Sequence, residues 1–430
     1  MINIHKGLEQ TLMEENMFHN PIVAWITEAT MDYKIEVTDQ ELNNITQEYL
    51  KRGHINENNI KTFKEIIEKG LNSDIELSLD GKIIQDEVKN FRNGPRTDLN
   101  LSNSHVVKTE LGGSPAISAR AGYHAYKEFG NARTIYCGSR PNSIEEFIKE
   151  KNLEDLFRHS VPNDYKPSTL CLENGKYKLM LSDKKGRELK NLKLNDKFNI
   201  HIPDDEGTLV AIGGLNKGEP KDYHSLIDYI KSKNPNAGIF IGTNSFSKYI
   251  TNNEFPKLNG YFDVARRADI LSINEAEEDQ LHQGLKMCNE NKSRTEKLED
   301  MNFEGLVVVH SHAGIKLYLG TSINLEFKGE IKKLVKLACY ATTYYIEHGE
   351  HVKNMQELNQ YYDDKIHVNN SMEYNAVFGN QKDSKRTTSI TATYLPPNKR
   401  KGNITGAGAI FDGYLCSFLS PYIQSMKNGK

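Results

Sequence analysis

The sequence predicts an α/β fold in which helices cover both faces of a doubly wound, mostly parallel sheet, beside a smaller α+β lid domain. After Thr208, short apolar runs alternate with amphipathic segments, the pattern of strands paired in parallel through helical crossovers. Before Thr208 the chain contains two blocks that are more polar than the rest and have short alternating strands. We therefore assign residues 1–32, 108–160 and 205–430 to the large domain and residues 33–107 and 161–204 to the lid domain.

The composition limits the class of protein. The chain has 430 residues, 37% hydrophobic and 26% charged, so it can bury the cores of a large and a smaller domain. A formal net charge of −3 gives no general electrostatic reason to bind nucleic acid or an anionic membrane. The N-terminus lacks the order of a signal peptide, and no apolar run approaches the roughly 20 residues of a membrane helix. We therefore expect a cytoplasmic protein with neither nucleic acid nor membrane as a partner.

The first predicted strand lies in Pro21–Ala29, an apolar run followed by Met31 and Asp32. A carboxylate at the carboxyl end of a strand in an open α/β sheet lies where such folds bind ligands, which makes Asp32 a candidate binding residue. The alternative is an Asp that simply ends the strand.

Hairpin signals mark the two blocks of the lid domain. The alternating stretch Ile75–Leu79 leads into Asp80-Gly81, and Asn174-Gly175 separates two further alternating runs. Charged helices are predicted nearby, at Asp39–Arg52 and Asn58–Lys69. Two insertions that are distant in sequence but build one sheet would form a lid.

A glycine pair opens the next predicted helix. Gly112 and Gly113 precede Ser114, a suitable N-cap, and Pro115, which is favoured at the first helical position. Gly130 can close this helix. An ordinary packed helix accounts for its alanines equally well, but not for the glycine pair.

A polar segment comes after the predicted strand Ile270–Ile273. It reads Asn274-Glu275-Ala276-Glu277 and lies at the mouth of the sheet. Carboxylate oxygens there suit magnesium. The alternative is a charged first helical turn, favoured by the helix dipole.

The stretch Asn403–Leu419 predicts a phosphate-binding helix start. Gly406, Ala407 and Gly408 put little side-chain bulk at a bend, and apolar residues then recur at helical spacing. The first N–H groups of such a helix are free to face an anion, and the helix dipole adds attraction. The basic residues Lys399 and Arg400 precede it and are candidate phosphate contacts. The alternatives are a tight loop before a core helix and a solvated basic loop.

These motifs resemble those of a known family. The pattern N-x-T-G-A-G-x-I-F-x-G at Asn403–Gly413 resembles the second signature of the ribokinase (PfkB) family of sugar and nucleoside kinases, and Gly112-Gly113 with its helix resembles the first. The order of landmarks is most similar to the ADP-dependent glucokinase and phosphofructokinase branch. These landmarks are Asp32, Gly112-Gly113, Gly213–Asn216, Asn274–Glu277, Val307–His312 and Asn403–Gly408.

The resemblance implies a ribokinase-like fold and transfer of a phosphoryl group from ADP or ATP, with Mg²⁺, to a hydroxyl of a sugar or sugar-like substrate. It also implies roles for individual residues. These are substrate binding for Asp32, Gly112, Gly113 and Ser114, nucleotide binding for Asn274, His312, Lys399, Arg400 and Thr405, magnesium binding for Glu277, and stabilisation of the transferring phosphate for Gly406, Ala407 and Gly408.

One departure from the family concerns the chemistry itself. Ala409 stands where the family has the Asp that takes the proton from the substrate hydroxyl. A general base typically contributes about 10²–10⁴-fold to the rate, so we expect ligand binding with slow or absent transfer. Asp412, one helical turn on, lies on another face of the helix and is not expected to replace the base. Ala409 is either an engineered substitution or the mark of a natural pseudokinase.

Other departures leave the donor and the function class open. Ser114 replaces the usual Asn or Gln, G-A-G replaces the G-L-G of the branch, and Ile241–Thr243 stands where the branch has His-x-Glu. A nucleoside kinase and a non-catalytic protein that binds a ligand or a partner are therefore kept as alternatives.

Overall fold

The structure is a computed structural model. It describes residues 21–55, 73–101, 103–163, 168–173, 177–183, 189–194, 197–215, 218–243, 246, 249–250, 253–284, 296, 299, 301–311, 313–365, 384–391, 407–423 and 425–426. The helices are α1 Asp39–Lys51, α2 Gly81–Arg92, α3 Ser114–Phe129, α4 Glu145–Glu150, α5 Glu154–Phe157, α6 Pro220–Lys233, α7 Phe255–Ala265, α8 Glu275–Gly284, α9 Lys328–His348, α10 Met355–Lys365 and α11 Ala407–Leu419.

The strands form a large sheet, a second sheet and two short pairs. They are β1 Ile22–Ile26, β2 Thr30–Glu36, β3 Ser73–Ser78, β4 Val107–Gly112, β5 Arg133–Tyr136, β6 Ser139–Pro141, β7 Val161–Asn163, β8 Ser168–Glu173, β9 Tyr177–Ser182, β10 Lys193–Leu194, β11 Lys197–Phe198, β12 Leu209–Gly213, β13 Gly238–Gly242, β14 Ile270–Asn274, β15 Leu306–Ser311, β16 Gly314–Leu319 and β17 Thr387–Thr391.

The large sheet has eight strands in the order β17-β16-β15-β14-β13-β12-β1-β5. Strands β5, β1, β12, β13, β14 and β15 pair in parallel in that spatial order, and β16 and β17 add an antiparallel edge. Strands β1, β12 and β13 are buried along their whole length, because helices cover both faces of a parallel sheet. The strand runs expected after Thr208 are therefore confirmed.

Two apolar cores lie on the two faces of this sheet. Alternate residues of β1 divide between them, with Val23 and Trp25 in one core and Ile22 and Ala24 in the other. Helices α3, α9 and α11 contribute to the first core, and α6 and α7 to the second. The result is the doubly wound arrangement that the sequence predicts.

The second sheet has five strands in the order β3-β9-β8-β2-β4. Strands β8 and β9, which flank Asn174-Gly175 in the sequence, pair in antiparallel register as predicted, while the turn itself lies outside the described residues. The expected helix Asp39–Arg52 is α1, which a reciprocal cap between Thr38 and Glu41 begins. The helix expected at Asn58–Lys69 lies outside the described residues.

Two expectations for this region are wrong. Asp80-Gly81 starts helix α2 rather than a hairpin, because the Asp80 side chain accepts from the backbone N–H of Lys82 as an N-cap. Asp32 does not end a strand of the large sheet. Strand β1 ends at Ile26, the chain turns at Thr27 with a φ of 93°, and Asp32 lies in β2 of the five-stranded sheet.

The exact domain bounds stay a prediction. Residues 30–36 and 107–112 pair with each other within the five-stranded sheet, so this sheet includes residues on both sides of the bounds that the sequence suggests. Among the described residues, no helix is long and apolar enough to span a membrane.

Candidate functional site

The start of helix α3 explains the glycine pair. Gly113 has a φ of 81°, and a β-carbon there would lie 2.6 Å from the carbonyl oxygen of Glu28. A β-carbon at Gly112 would collide with the carboxylate of Asp32. Gly113 is the N-cap and Ser114 is already the first helical residue, so the cap lies one residue before the predicted one. Glycine is required at position 113 by its positive φ and by the backbone of the residues that lead into β2, whereas at position 112 the side chains of Asp32 and Thr30 occupy the space of a β-carbon.

Asp32 lies directly over this glycine start. One carboxylate oxygen, Oδ1, accepts a hydrogen bond from the Thr30 hydroxyl at 3.2 Å. Thr30 is paired with Gly112 across β2 and β4. The structure thus brings together Asp32, Gly112, Gly113 and Ser114, as the sequence predicts, although it supplies Asp32 from a different sheet.

Helices α3 and α11 touch through backbone at positions without side chains. A β-carbon at Gly413 would collide with the carbonyl oxygen of Ser118 and lie 2.8 Å from the β-carbon of Ala121. A β-carbon at Gly122 would lie 3.2 Å from the carbonyl oxygen of Gly413. Near the carboxyl ends of the two helices, Phe129 of α3 stacks on Phe418 of α11 at 5.9 Å, so the helices run in the same direction and begin on the same side of this contact.

The first turn of α11 is partly exposed at Ala407, Gly408 and Ala409. Its N–H groups lack partners within the helix, as at any helix start. A β-carbon at Gly408 would lie 3.1 Å from Cε1 of His310, which lies near the end of β15 and whose pKa burial lowers to about 4. Position 409 lies one turn before Gly413 and therefore on the side of the helix that faces α3.

Asn274 and Glu277 form a reciprocal helix cap. The backbone N–H of Glu277 donates to Asn274 Oδ1 at 2.8 Å, and the backbone N–H of Asn274 donates to Glu277 Oε2 at 3.0 Å. The Thr243 hydroxyl donates to the same carboxylate oxygen at 2.7 Å. Burial raises the pKa of Glu277. The charged first turn that the sequence left as an alternative is thus present, at the edge of the sheet where β13 and β14 end.

Asp412 joins this edge from helix α11. The Ser272 hydroxyl donates to Asp412 Oδ1 at 2.5 Å, and Oδ2 lies 3.1 Å from where a β-carbon of Gly242 would be. Burial raises the pKa of Asp412 to about 8. The hydrogen bond from Ser272 opposes this rise, and the charge of Glu277 adds to it. Helical periodicity predicts the face of α11 on which Asp412 lies. It does not predict that Gly242, on β13, leaves room for the Asp412 carboxylate.

The fit of magnesium can be tested against these groups. Among the described residues, no cluster of three or more His, Cys, Asp or Glu side chains could hold a metal ion. Magnesium in nucleotide sites usually takes only one or two carboxylates, with water and phosphate oxygens completing its shell. Glu277 and Asp412, with the hydroxyls of Thr243 and Ser272, fit such a sparse donor set.

A recess opens between the five-stranded sheet and helices α3, α9 and α11. Among the residues that line this recess, the sequence predicts only Asp32 as a binding residue. The signal for the others was their spacing, since Lys34 follows Asp32 on the same face of β2 and Arg120 follows Ile117 on one face of α3. The recess is lined by Asp32, Lys34, Glu110, Leu111, Ile117, Arg120, Tyr345, His351 and Ile410.

Several predicted site residues lie outside the described part of the chain. They are Gly406, Thr405, His312, Lys399 and Arg400. Their roles stay predictions.

The fold is similar to that of ADP-dependent phosphofructokinases. A hypothetical ADP-dependent phosphofructokinase from Pyrococcus horikoshii matches with a TM-score of 0.54 and 11% identity, over 94% of this chain and 99% of that one. The last common ancestor of these enzymes from Methanosarcinales matches with a TM-score of 0.57 and 11% identity, over 99% of this chain and 97% of that one. An ADP-dependent kinase in complex with fructose-6-phosphate and ADPβS matches with a TM-score of 0.56 and 10% identity, over 95% of each chain.

No family model matches the sequence, and no curated protein matches it. At these identities the likeness is one of fold. The predicted fold class, a doubly wound and mostly parallel sheet with a smaller α+β part, is confirmed and is shared with these kinases.

Proposed function

We propose that this protein is a kinase-fold phosphotransferase that binds a nucleotide and a sugar or sugar-like hydroxyl compound, and whose transfer step is slow because position 409 holds Ala. One observation carries the proposal. The open first turn of α11 lies beside the glycine start of α3, and Asp32 closes over the latter from the second sheet. The fold neighbour bound to fructose-6-phosphate and ADPβS supports the same assignment of ligands.

The chain's own groups suit phosphoryl transfer, which depends on positioning and charge neutralisation more than on covalent chemistry. The N–H groups of Ala407, Gly408 and Ala409 would face the oxygens of the transferring phosphoryl group, over which the negative charge of the transition state is spread. The carboxylate of Asp32 would accept hydrogen bonds from substrate hydroxyls. Bound Mg²⁺ would supply further neutralisation of phosphate charge, with Glu277 and Asp412 as the residues that would hold it.

The missing group is the base. Alanine cannot accept the hydroxyl proton, and Asp412 is directed towards Ser272 and Gly242 rather than towards α3. This observation also favours the second candidate function, a non-catalytic protein that binds the same ligands. ADP and ATP are the candidate donors, and a sugar and a nucleoside are the candidate acceptors.

Calorimetric titration with ADP and with ATP, each with and without Mg²⁺, tests the proposal. We expect at least one nucleotide to bind, and more tightly with Mg²⁺. Glu277→Gln should reduce the effect of Mg²⁺ while keeping the helix cap, because the amide oxygen still accepts from the N–H of Asn274. Glu275→Gln, on the same helical turn, serves as the matched control. A folded protein that gives no heat with either nucleotide would refute the proposal.

A further inference from the structure

Thr27, the residue at which the chain leaves the large sheet, has a strained backbone. Strand β1 ends at Ile26, and Thr27 has a φ of 93°. Four other non-glycine residues in the described part of the chain have a positive φ, and all four are asparagines, which tolerate that region. A β-branched residue there is an outlier, which persists only where the surrounding structure holds it in place. Glycine would adopt the same φ without strain, so a benefit of threonine here has to come from its side chain.

The hydroxyl of Thr27 bonds to the end of a neighbouring strand. It donates to the carbonyl oxygen of Gly213, the last residue of β12, at 2.9 Å. Strands β1 and β12 pair in parallel up to Ile26 and Ile212, so this side-chain bond connects the two strands one residue beyond the last backbone pair. Thr27 and Gly213 are both buried, so a residue without the hydroxyl would leave the Gly213 oxygen without this donor and away from water.

The carbonyl oxygen of Thr27 is bonded from the opposite side of β1. It accepts from the N–H of Ser139 at 2.8 Å and lies 3.1 Å from the hydroxyl oxygen of Tyr136, a fully buried residue of β5. The Tyr136 hydroxyl also lies 3.1 Å from the carbonyl oxygen of Ser139, which accepts from the N–H of Ala29 at 2.9 Å. A β-carbon at Gly138 would collide with the Thr27 oxygen, so glycine there leaves room for these bonds. Both strands beside β1 thus fix Thr27.

The residues after Thr27 connect it to Asp32. Residues 27 to 30 form the crossing between the two sheets, and all of them are buried, so the crossing has no free length that could absorb a shift of Thr27. Strand β2 begins at Thr30, whose hydroxyl donates to Asp32 at 3.2 Å. The Asp32 carboxylate occupies the space where a β-carbon of Gly112 would lie. A shift at Thr27 would therefore move Asp32 relative to the glycine pair.

We propose that Thr27 is a positioning residue, whose strained backbone and hydroxyl bond to Gly213 set the place of Asp32 over the glycine start of α3. The inference rests on the proposed function, in which Asp32 accepts hydrogen bonds from substrate hydroxyls, and it names a residue through which that carboxylate is placed. Glycine at position 27 would relieve the strain, but it would also give the crossing more backbone freedom and no hydroxyl. The strain is therefore retained where it serves a defined position of a ligand-binding side chain.

Amide hydrogen exchange in the full chain without ligands measures this positioning. Thr27→Val keeps the branched shape and removes the hydroxyl, whereas Thr27→Ser keeps the hydroxyl. In Thr27→Val we expect the amides of β2 to exchange about 10-fold faster, because the Gly213 oxygen loses its donor, and those of β13 and β14 to be unchanged. Thr27→Ser should exchange like the unsubstituted chain. Thr342→Val is the matched control, since it removes a buried hydroxyl that donates to the carbonyl oxygen of Ala338 within α9, and it should leave β2 unchanged.

Ligand titration connects the position of β2 to binding. We would titrate glucose, fructose, their 6-phosphates and adenosine into each protein, with ADP and ATP in parallel. Any of these hydroxyl compounds that binds the unsubstituted chain should bind about 10-fold more weakly to Thr27→Val and equally well to Thr27→Ser, while nucleotide affinity stays unchanged. A role confined to stability would shift the urea midpoint without changing the ratio of these affinities. If no hydroxyl compound binds the unsubstituted chain, the proposed substrate class fails, and hydrogen exchange alone decides the role of Thr27.

Several results would overturn the inference. These are unchanged exchange of β2 in Thr27→Val, equally faster exchange in β2 and β13, exchange in Thr27→Ser as fast as in Thr27→Val, or equal weakening of hydroxyl compound and nucleotide. Thr27→Gly is the second variant, in case Thr27→Val does not fold, because glycine adopts the positive φ without strain. It also lacks the hydroxyl, so β2 amides that exchange as slowly in Thr27→Gly as in the unsubstituted chain would equally refute the role of Thr27.

Discussion

Replacement of Gly413 by Ala tests the close contact on which the site depends. Two effects oppose each other. Alanine is favoured over glycine inside a helix by about 0.5–1 kcal/mol. The added β-carbon, however, collides with the carbonyl oxygen of Ser118 and lies 2.8 Å from the β-carbon of Ala121. Overpacking of a core typically costs about 1–3 kcal/mol.

The steric cost should exceed the gain. The Ser118 oxygen belongs to the backbone of α3 and cannot move unless the helix moves, so the cost lies towards the upper end of its range. We expect Gly413→Ala to lower the free energy of unfolding by at least about 1 kcal/mol. Gly329→Ala is the matched control, because Gly329 is a helical glycine with nothing within 4 Å of a new β-carbon. This control should be neutral or slightly stabilising.

Equilibrium unfolding in urea, followed by tryptophan fluorescence, provides the measurement. Trp25 is the single tryptophan and is buried in β1 of the large sheet, so its emission reports on that core. A shift of the midpoint at constant slope reports a change in stability. If Gly413→Ala is as stable as the native chain, or if Gly329→Ala loses as much, the two helices do not touch as described.

Three further predictions concern the site. Ala409→Asp should raise turnover by about 10²–10⁴-fold if only the base is missing, and Ala409→Asn should not; a folded, nucleotide-binding Ala409→Asp protein that transfers phosphate to no sugar or nucleoside would contradict the interpretation of Ala409 as an engineered substitution in an otherwise intact kinase. Asp32→Ala should weaken binding of the hydroxyl substrate by about 10- to 100-fold and leave nucleotide binding intact; equal loss of both in titrations would make Asp32 a structural residue. Burial raises the pKa of Asp412 to about 8, far above the unfolded value of about 3.9, so its contribution to stability is complete below about pH 4 and is lost as the pH rises to about 8. In that pH window, without divalent metal, the free energy of unfolding of Asp412→Asn should rise by about 1.4 kcal/mol per pH unit relative to that of the unsubstituted chain. The same difference in free energy of unfolding between the two proteins at pH 5 and at pH 8 would contradict this.

The sequence by itself determined the elements whose signals are local. Strands β12 to β15 are apolar runs because a parallel sheet is covered on both faces, and the alternating runs on either side of Asn174-Gly175 predict the antiparallel pair β8 and β9. The glycine pair Gly112-Gly113 marked the start of helix α3 in the sequence, but not the backbone of Glu28 to Thr30 that lies against Gly113 in the structure. Asp80-Gly81 was misinterpreted because an Asp that begins a turn also caps a helix, and only the residues after the Asp distinguish the two structures.

Tertiary structure alone decided which of these elements meet. The chain leaves the large sheet at Thr27, where the Thr27 hydroxyl donates to the carbonyl oxygen of Gly213 and the Tyr136 hydroxyl donates to that of Thr27. These partners are 186 and 109 residues away in sequence, so no local pattern places Asp32 in the second sheet. The positions of Asp412 over Gly242 and of Arg120 in the recess also result from contacts between residues that are distant in the sequence. A side chain's burial and charge depend on residues distant in the chain, whereas helix and strand periodicity depends only on neighbours.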